Sequence, residues 1–411
     1  MDAETSTAPR HVVRRLAECD GLDLEGIRVR GLFRGSEFRH GERRGRRGGG
    51  AGGDRGRRAV DDRGHRRLLD DPRPATRTTG GGSGGRSRLG VRNVVMADPV
   101  PTSVPDRHAP SRSVFALALV TAAAVFPLVF VGAGVTSKGV GMAFPDGFTA
   151  DGYFLRNPPG WWDKEATRWE HGHRLLGRAV GLLAIALAVA AWKSGGTVRR
   201  LAILNLVLIC IQGTLGAFRV YEVSTSLAMI HGVFAQVCFC VTSSLAMICA
   251  PTWQQPARQR VREARFLQRL CAFGTGVVFL QLVTGAAYRH FGASILLIAH
   301  VFWAVVVLFI GGWIVMWVLS VSRERTVLSN LGRLFAALLA GQLLLGAGAY
   351  VVTILAVNVS RQLRWLVPSL HVLVGALVLV CSVLLTLCAF RFLEPAPLRR
   401  DLSSSKAVAA G

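Results

Sequence analysis

Four histidines recur at equivalent places in a repeated hairpin, and their type and spacing suit metal ligation. In Gln281-Leu-Val-Thr-Gly285-Ala286 an apolar run is closing, and His300 follows nineteen residues after Gln281, near the start of the next run. Gln212-Gly-Thr-Leu-Gly216-Ala217 precedes His231 by the same nineteen residues, and Gln342-Leu-Leu-Leu-Gly346-Ala347 precedes His371 by twenty-nine. A degenerate first copy, Leu128-Val-Phe-Val-Gly132-Ala133, has lost the glutamine and is separated from His173 by a longer insertion. Self-similarity of this kind marks a repeated structural unit, so each unit delivers one imidazole. A lone histidine in a membrane helix is adequately explained as a hydrogen-bonded residue, but four in repeat-equivalent places are not. Neutral imidazole is the commonest metal ligand, which makes ligation the natural alternative.

Zinc or copper fits less well, because no Cys, Asp or Glu cluster accompanies all four histidines. A heme held by two histidines needs one from each of two facing helices, and small residues that leave room for a flat macrocycle. His231-Gly232 and the pairs Gly216-Ala217, Gly285-Ala286 and Gly346-Ala347 would supply that room; they serve equally well as helix-packing positions. Pairing within each half of the chain gives two sites, His173 with His231 and His300 with His371. Arg174, Arg219, Arg289 and Arg364 fall at the same ends, where heme propionates would need cationic partners; ordinary interfacial arginine is the competing reading. Only the first pair has an acidic neighbour: in Glu170-His171-Gly172-His173-Arg174 the carboxylate precedes His173 by three residues and shares its helical face. That asymmetry suggests a reactive first pocket and a permanently occupied second one. His171 and His290 are read as interfacial histidines without an assigned role.

The elements that position these residues are membrane spans. The chain has 411 residues, 51% of them hydrophobic, and a positive mean hydropathy, and from Ser113 onward its apolar runs approach the ~20 residues that cross a bilayer. Eight are expected, near 113–135, 171–192, 198–218, 225–250, 266–287, 293–320, 329–355 and 366–390, all as helices because lipid leaves no external partner for the backbone. The expected fold is all-α, a polytopic membrane protein whose eight transmembrane helices form two pseudo-symmetric four-helix bundles.

Residues 1–95 form an Arg/Gly-rich extension that cannot bury a core; it reads as disordered, with Met96 as the start of the protein proper. Residues 96–112 are a cytoplasmic lead-in, 113–250 the N-terminal half, 251–265 a cytoplasmic linker, 266–392 the C-terminal half and 393–411 a cytoplasmic tail. The formal charge of +24 is largely topology signal rather than a nucleic-acid surface. Lys193, Arg199 and Arg200, then Arg258, Arg260, Arg262, Arg265 and Arg269, then Arg323, Arg325 and Arg333, and finally Arg391, Arg399 and Arg400 occupy alternate loops. Both termini are therefore placed in the cytoplasm and all four histidines toward the outer face. Eight cysteines sit in the extension or within or bordering apolar runs and form no CxxC pair, so no disulfide or zinc site is implied.

Eight helices in two halves, one histidine at the outer end of each even helix, and Glu170-x-x-His173-Arg174 continuing Leu-Leu-Gly177-Arg178 resemble the heme A synthase family over about residues 110–392. The resemblance implies an oxidoreductase of the inner, cytoplasmic membrane that oxidises a ring methyl of heme O to the formyl of heme A, for assembly of heme-copper terminal oxidases. It further implies a resident heme b on His300 and His371, a substrate heme pocket lined by His173 and His231, and Glu170 as the essential carboxylate. Heme O synthase and the oxidase assembly machinery would be partners, alongside membrane lipid and, conceivably, a second copy of the chain; the electron donor is not specified. Many bacterial relatives carry a cysteine pair in the first outer loop, and residues 136–170 here contain none, which argues against a thiol reductant at that loop. Its Asn157-Pro-Pro-Gly-Trp-Trp162 run offers aromatics for the interface or for closing over the pocket.

A diheme b-type membrane cytochrome acting in electron transfer is the main rival, but it would need hemes near both faces. A transporter is the second, but transporter repeats are commonly inverted and these run parallel.

Overall fold

The structure, a computed structural model, describes residues 110–154, 156–254, 259–321, 326–355 and 358–396. The expected extension 1–95, most of the lead-in and residues 397–411 of the tail lie outside the described residues.

Among the described residues, eight helices are long and apolar enough to cross a membrane. They are α1 (Arg112–Lys138), α2 (Glu165–Ala190), α3 (Gly196–Tyr221), α4 (Thr225–Cys249), α5 (Ala264–Phe291), α6 (Ser294–Val321), α7 (Thr326–Tyr350) and α8 (Arg361–Phe392). Each apolar run closes its backbone hydrogen bonds within itself, as a bilayer demands. Local chemistry sets the ends. The hydroxyls of Ser111, Ser224 and Ser360 accept the amides of Val114, Leu227 and Leu363 at the starts of α1, α4 and α8. Gly139 and Gly292, at φ 67° and 68°, turn the chain out of α1 and α5 through the left-handed region.

Two helices begin earlier than hydropathy indicates, α2 at Glu165 rather than near 171 and α8 at Arg361 rather than near 366. Polar residues such as Glu165, Arg168, Arg361 and Arg364 lower the apolar signal without interrupting the helix. The consequence is that His173 and His371 lie about two and about three turns into their helices, deeper than a start near 171 or 366 would put them.

Each of α1–α4 packs against the next and α1 closes onto α4; α5–α8 repeat the pattern, with α5 against α8. The two sets meet where α8 packs on α1 and α4, and α4 on α5. α4 and α8 are accordingly the most buried spans, at 50% and 56%, whereas α7 is only 6% buried and leaves its outer side for lipid.

A small clasp ties the two sets together at the end opposite the histidines. Between α4 and α5, β1 (Gln259–Val261) pairs in parallel with β2 (Leu393–Pro395), which follows α8. Arg391 donates through Nε and Nη2 to the Trp253 carbonyl at 3.2 and 3.1 Å, and Trp253 stacks edge-on against Phe392. Gln268 on α5 donates to the carbonyls of Ala389 and Leu393 at 3.3 and 3.1 Å, at the end of α8. Gln268→Ala should therefore lower stability by about 1–2 kcal/mol, seen as a lower unfolding midpoint in detergent.

Candidate functional site

The four repeat histidines meet in two pairs at one end of the bundle, the histidine end. His173 on α2 faces His231 on α4 with ring centroids 6.5 Å apart and planes at 86°. His300 on α6 faces His371 on α8 at 6.2 Å and 88°. All four residues are half-buried.

Each ring is set by the helix before it. The repeat glycine lies directly beneath the imidazole of its own hairpin: a Cβ built on Gly132, Gly216, Gly285 or Gly346 would stand 2.8, 2.9, 2.6 or 3.0 Å from Cε1 of His173, His231, His300 or His371. Real Cβ atoms essentially never stand under 3.0 Å from another heavy atom, so Gly132, Gly216 and Gly285 leave no room for a side chain under the ring, and Gly346 is at the limit. These glycines were expected to leave room for a macrocycle or to pack helices; they seat the ligands themselves.

One turn earlier, the backbone carbonyl of the residue that begins the third repeat motif addresses the ring: His300 Nδ1 lies 3.2 Å from the Gln281 carbonyl oxygen. Nδ1 of His173, His231 and His371 is buried without a hydrogen-bond partner among the described residues. A Nδ1–H directed at a carbonyl keeps the lone pair on Nε2, the tautomer that binds a metal. The glutamine amides of three repeats stand near Nε2, at 3.4 Å for Gln212 and His231, 3.5 Å for Gln281 and His300, and 3.4 Å for Gln342 and His371. Gln212 also donates to the His231 carbonyl at 3.0 Å. The first copy, with Leu128, has no such amide.

Glu170 is almost fully buried, at 3% exposure, and its carboxylate is fully engaged. Oε2 accepts the amides of Ala143 and Phe144 at 2.5 and 3.3 Å, and Oε1 accepts Arg174 Nη2 at 2.5 Å. Arg174 continues outward to the carbonyls of Asp146 and Thr149, at 2.8 and 2.5 Å, and Arg219 on α3 donates to the Gly141 carbonyl at 2.8 Å. Residues 139–164, between α1 and α2, are thus held by side chains that flank the first histidine pair. Such charge-assisted bonds in a dry setting are strong, and breaking one partner of a buried pair costs about 3–5 kcal/mol.

His171 is also part of this anchor. Fully buried, it pairs its Nε2 with Asn157 Oδ1 at 2.9 Å and packs between Phe144 and Trp161, with centroids at 5.9 and 4.8 Å. Trp161 therefore closes onto His171, while Trp162 stays 60% exposed. The interfacial reading of His171 missed this; its place directly after Glu170 on a helix reaching back to Glu165 was the available signal.

The four arginines have different surroundings. Arg174 and Arg219 serve the loop. Arg289 reaches from α5 to α1, donating to the Ala133 carbonyl at 2.8 Å and to Ser137 Oγ at 2.7 Å. Arg364 is exposed on the first turn of α8, its Nε 3.4 Å from the Val359 carbonyl.

Among the described residues no group of three or more His, Cys, Asp or Glu could hold a metal ion; the candidate donors are the two imidazoles of each pair. Two imidazoles bound through metal–nitrogen bonds of about 2.0–2.1 Å have centroids roughly 6 Å apart, which both pairs satisfy. The donor set therefore fits an iron porphyrin, whose own nitrogens complete the coordination.

Fold and site together define a class: a polytopic helical membrane protein with two histidine pairs at one end of its helices. The profile of the family described as cytochrome oxidase assembly protein matches residues 115–298. Heme A synthase of Staphylococcus haemolyticus (strain JCSC1435) is 27% identical over 130 residues, which make up 31% of this chain and 43% of that protein. The chain thus spans less than half the length of the curated relative it matches. Over these residues the chain is similar to that family and to that synthase.

The seats rank the effect of adding a methyl group. Gly285→Ala brings a Cβ to 2.6 Å from Cε1 and 2.9 Å from Nδ1 of His300, while Gly346→Ala meets His371 only at 3.0 Å. After reconstitution with hemin, Gly285→Ala should convert the second pair from low-spin to largely high-spin absorbance and Gly346→Ala should do so less. Equal, unperturbed spectra would contradict the seating.

Proposed function

We propose that this protein is a heme A synthase, an oxidoreductase that carries a ring methyl of heme O to the formyl of heme A by successive hydroxylation and loss of water. The reading is supported by one observation: the rings of two histidine pairs face each other with centroids 6.5 and 6.2 Å apart, and among the described residues only the first pair is flanked by a buried carboxylate and a bound loop.

His300 and His371 would hold a resident heme b, which supplies iron redox chemistry when bound. His173 and His231 would hold heme O as substrate and keep it in one orientation on the glycine seats of Gly132 and Gly216. Glu170, dry and preorganised, would place a fixed negative charge beside that pocket, where it stabilises positive charge developing at the methyl carbon or takes its proton. The bonds to Ala143, Phe144 and Arg174 support the first of these roles more directly, because they hold the group as an anion. Residues 139–164 would limit water at the first pocket. Arg174, Arg219, Arg289 and Arg364 would be the cations that propionates meet as they emerge, with Arg174 and Arg219 sharing their guanidiniums with the loop carbonyls.

The protein would lie in the inner, cytoplasmic membrane with both termini in the cytoplasm and the pockets toward the outer face, as the loop charges argue. Its product would feed assembly of heme-copper terminal oxidases, with heme O synthase upstream.

Expression in a host that makes heme O but no heme A should lead to accumulation of the formyl heme, identified by chromatography and mass. Glu170→Gln, which keeps the size and one acceptor oxygen, should retain bound heme and a protease-resistant loop yet lower conversion by at least ~100-fold, the order lost when a single preorganised group is removed. A wild type that contains only b-type heme would instead favour the diheme cytochrome.

A further inference from the structure

Arg289 belongs to α5 in the second set of helices, but its hydrogen bonds are made to α1 in the first. It follows Gly285, the seat of His300, by four residues, so it rises about one turn above that seat. Its Nη2 donates to the carbonyl of Ala133, the residue next to Gly132, which is the seat of His173. The same nitrogen donates to Ser137 Oγ, which bonds Ser369 Oγ of α8 at 3.0 Å; Ser369 in turn donates to the Trp365 carbonyl at 2.6 Å and lies two residues before His371. One guanidinium therefore joins helix segments that carry a ligand seat or a ligand in each pocket.

The end of α1 is gripped from other directions as well. The Trp169 ring lies against Gly134, and Lys138 pairs with Glu165 at 2.5 Å while lying over the rings of Trp365 and Trp169 at 4.2 and 5.0 Å. All these contacts act on the two turns of α1 that include Gly132. Because a helix advances 1.5 Å per residue, a slide or rotation of α1 by a fraction of one residue would move Gly132 from beneath an imidazole with which it has no spare distance. The nearest arginine on α3, Arg219, follows its repeat glycine by three residues rather than four and reaches the loop instead.

Resting on the heme-binding reading above, we infer that Arg289 is a positioning residue for the first pocket supplied by the other half of the molecule: it fixes the register of α1 so that Gly132 seats His173. A guanidinium suits the task because its planar fork can serve two acceptors at once and keeps its charge in a membrane setting. With the two acceptors on one helix face four residues apart, the contact resists both rotation and sliding. The function is separate from any contact Arg289 makes with a propionate, since it acts on protein atoms alone.

The test is hemin titration of purified full-length protein, read by low-spin absorbance and electron paramagnetic resonance, with each pair examined alone. His300→Ala/His371→Ala leaves only the first pair, and His173→Ala/His231→Ala only the second. Adding Arg289→Gln should weaken hemin binding at the first pair by about 10–100-fold, the range typical of lost outer-shell support, and raise its high-spin fraction. At the second pair the same change should cost less than at the first, its effect there limited to any propionate contact that Arg289 supplies. Ser137→Ala, milder and safer for folding, should act in the same direction at the first pair and more weakly, and it decides the matter if Arg289→Gln does not fold. Equal losses at both pairs would reduce Arg289 to general stabilisation and overturn the inference, as would unchanged binding at the first pair. Wild-type protein that takes up no hemin would remove the heme reading itself, whereas two wild-type sites with an indifferent first pair would remove only the positioning role.

Discussion

The contact on which the site depends is steric: an imidazole ring resting on a glycine of the preceding helix. It occurs four times, at Gly132, Gly216, Gly285 and Gly346, and each time the ring atom nearest the missing Cβ is Cε1. The contact is non-polar and short-ranged, so it orients the ring without competing for either nitrogen. At His300 the Gln281 carbonyl then addresses Nδ1 and keeps the lone pair on Nε2. A repeat of glycine and histidine at the right separation is enough to place four imidazoles, provided the two helices of each hairpin keep their register. Helix packing thereby becomes part of the ligand chemistry, because a metal tolerates little error in the position of its donors.

The two pockets share this core and differ in their surroundings. The first is bordered by residues 139–164, tied down through Glu170, His171, Arg174 and Arg219. Beside the second, α5 and α6 are joined through Gly292 and Ala293 alone, too little chain to form a comparable cover. A carboxylate, a bound loop and the replacement of glutamine by Leu128 all fall on the first pair. Function is proposed to divide along the same line, with a cofactor held in the plainer pocket and a substrate in the elaborated one.

Much of this was legible in the sequence because it rests on short-range regularities. Apolar runs of bilayer length located eight helices, and the recurrence of glycine and histidine at fixed spacing brought out the four histidines that meet in two pairs. What hydropathy could not show was how far a helix continues past the bilayer: the polar starts of α2 and α8 displaced His173 and His371 from the expected first turns. The glycines were recognised as important for lack of a side chain, but whether a macrocycle, a helix or an imidazole fills that space depends on the neighbouring helix. The arginines were harder still. Their position at helix ends suggested propionate partners, yet Arg174 and Arg219 bind loop carbonyls and Arg289 binds α1, contacts between residues as far apart as 156 positions. Nothing in local spacing encodes which distant carbonyl a long side chain will reach.

The central claim is that each histidine pair clasps one iron porphyrin with its ring planes nearly perpendicular, at 86° and 88°. Electron paramagnetic resonance of the oxidised, heme-loaded protein tests it most directly, since the angle between axial imidazoles governs the anisotropy of a low-spin ferric iron. The account predicts two low-spin sites, both strongly anisotropic as perpendicular rings require, each lost on removal of its own pair. A single site, a high-spin signal from irons with one protein ligand, or spectra of parallel imidazole planes would contradict it.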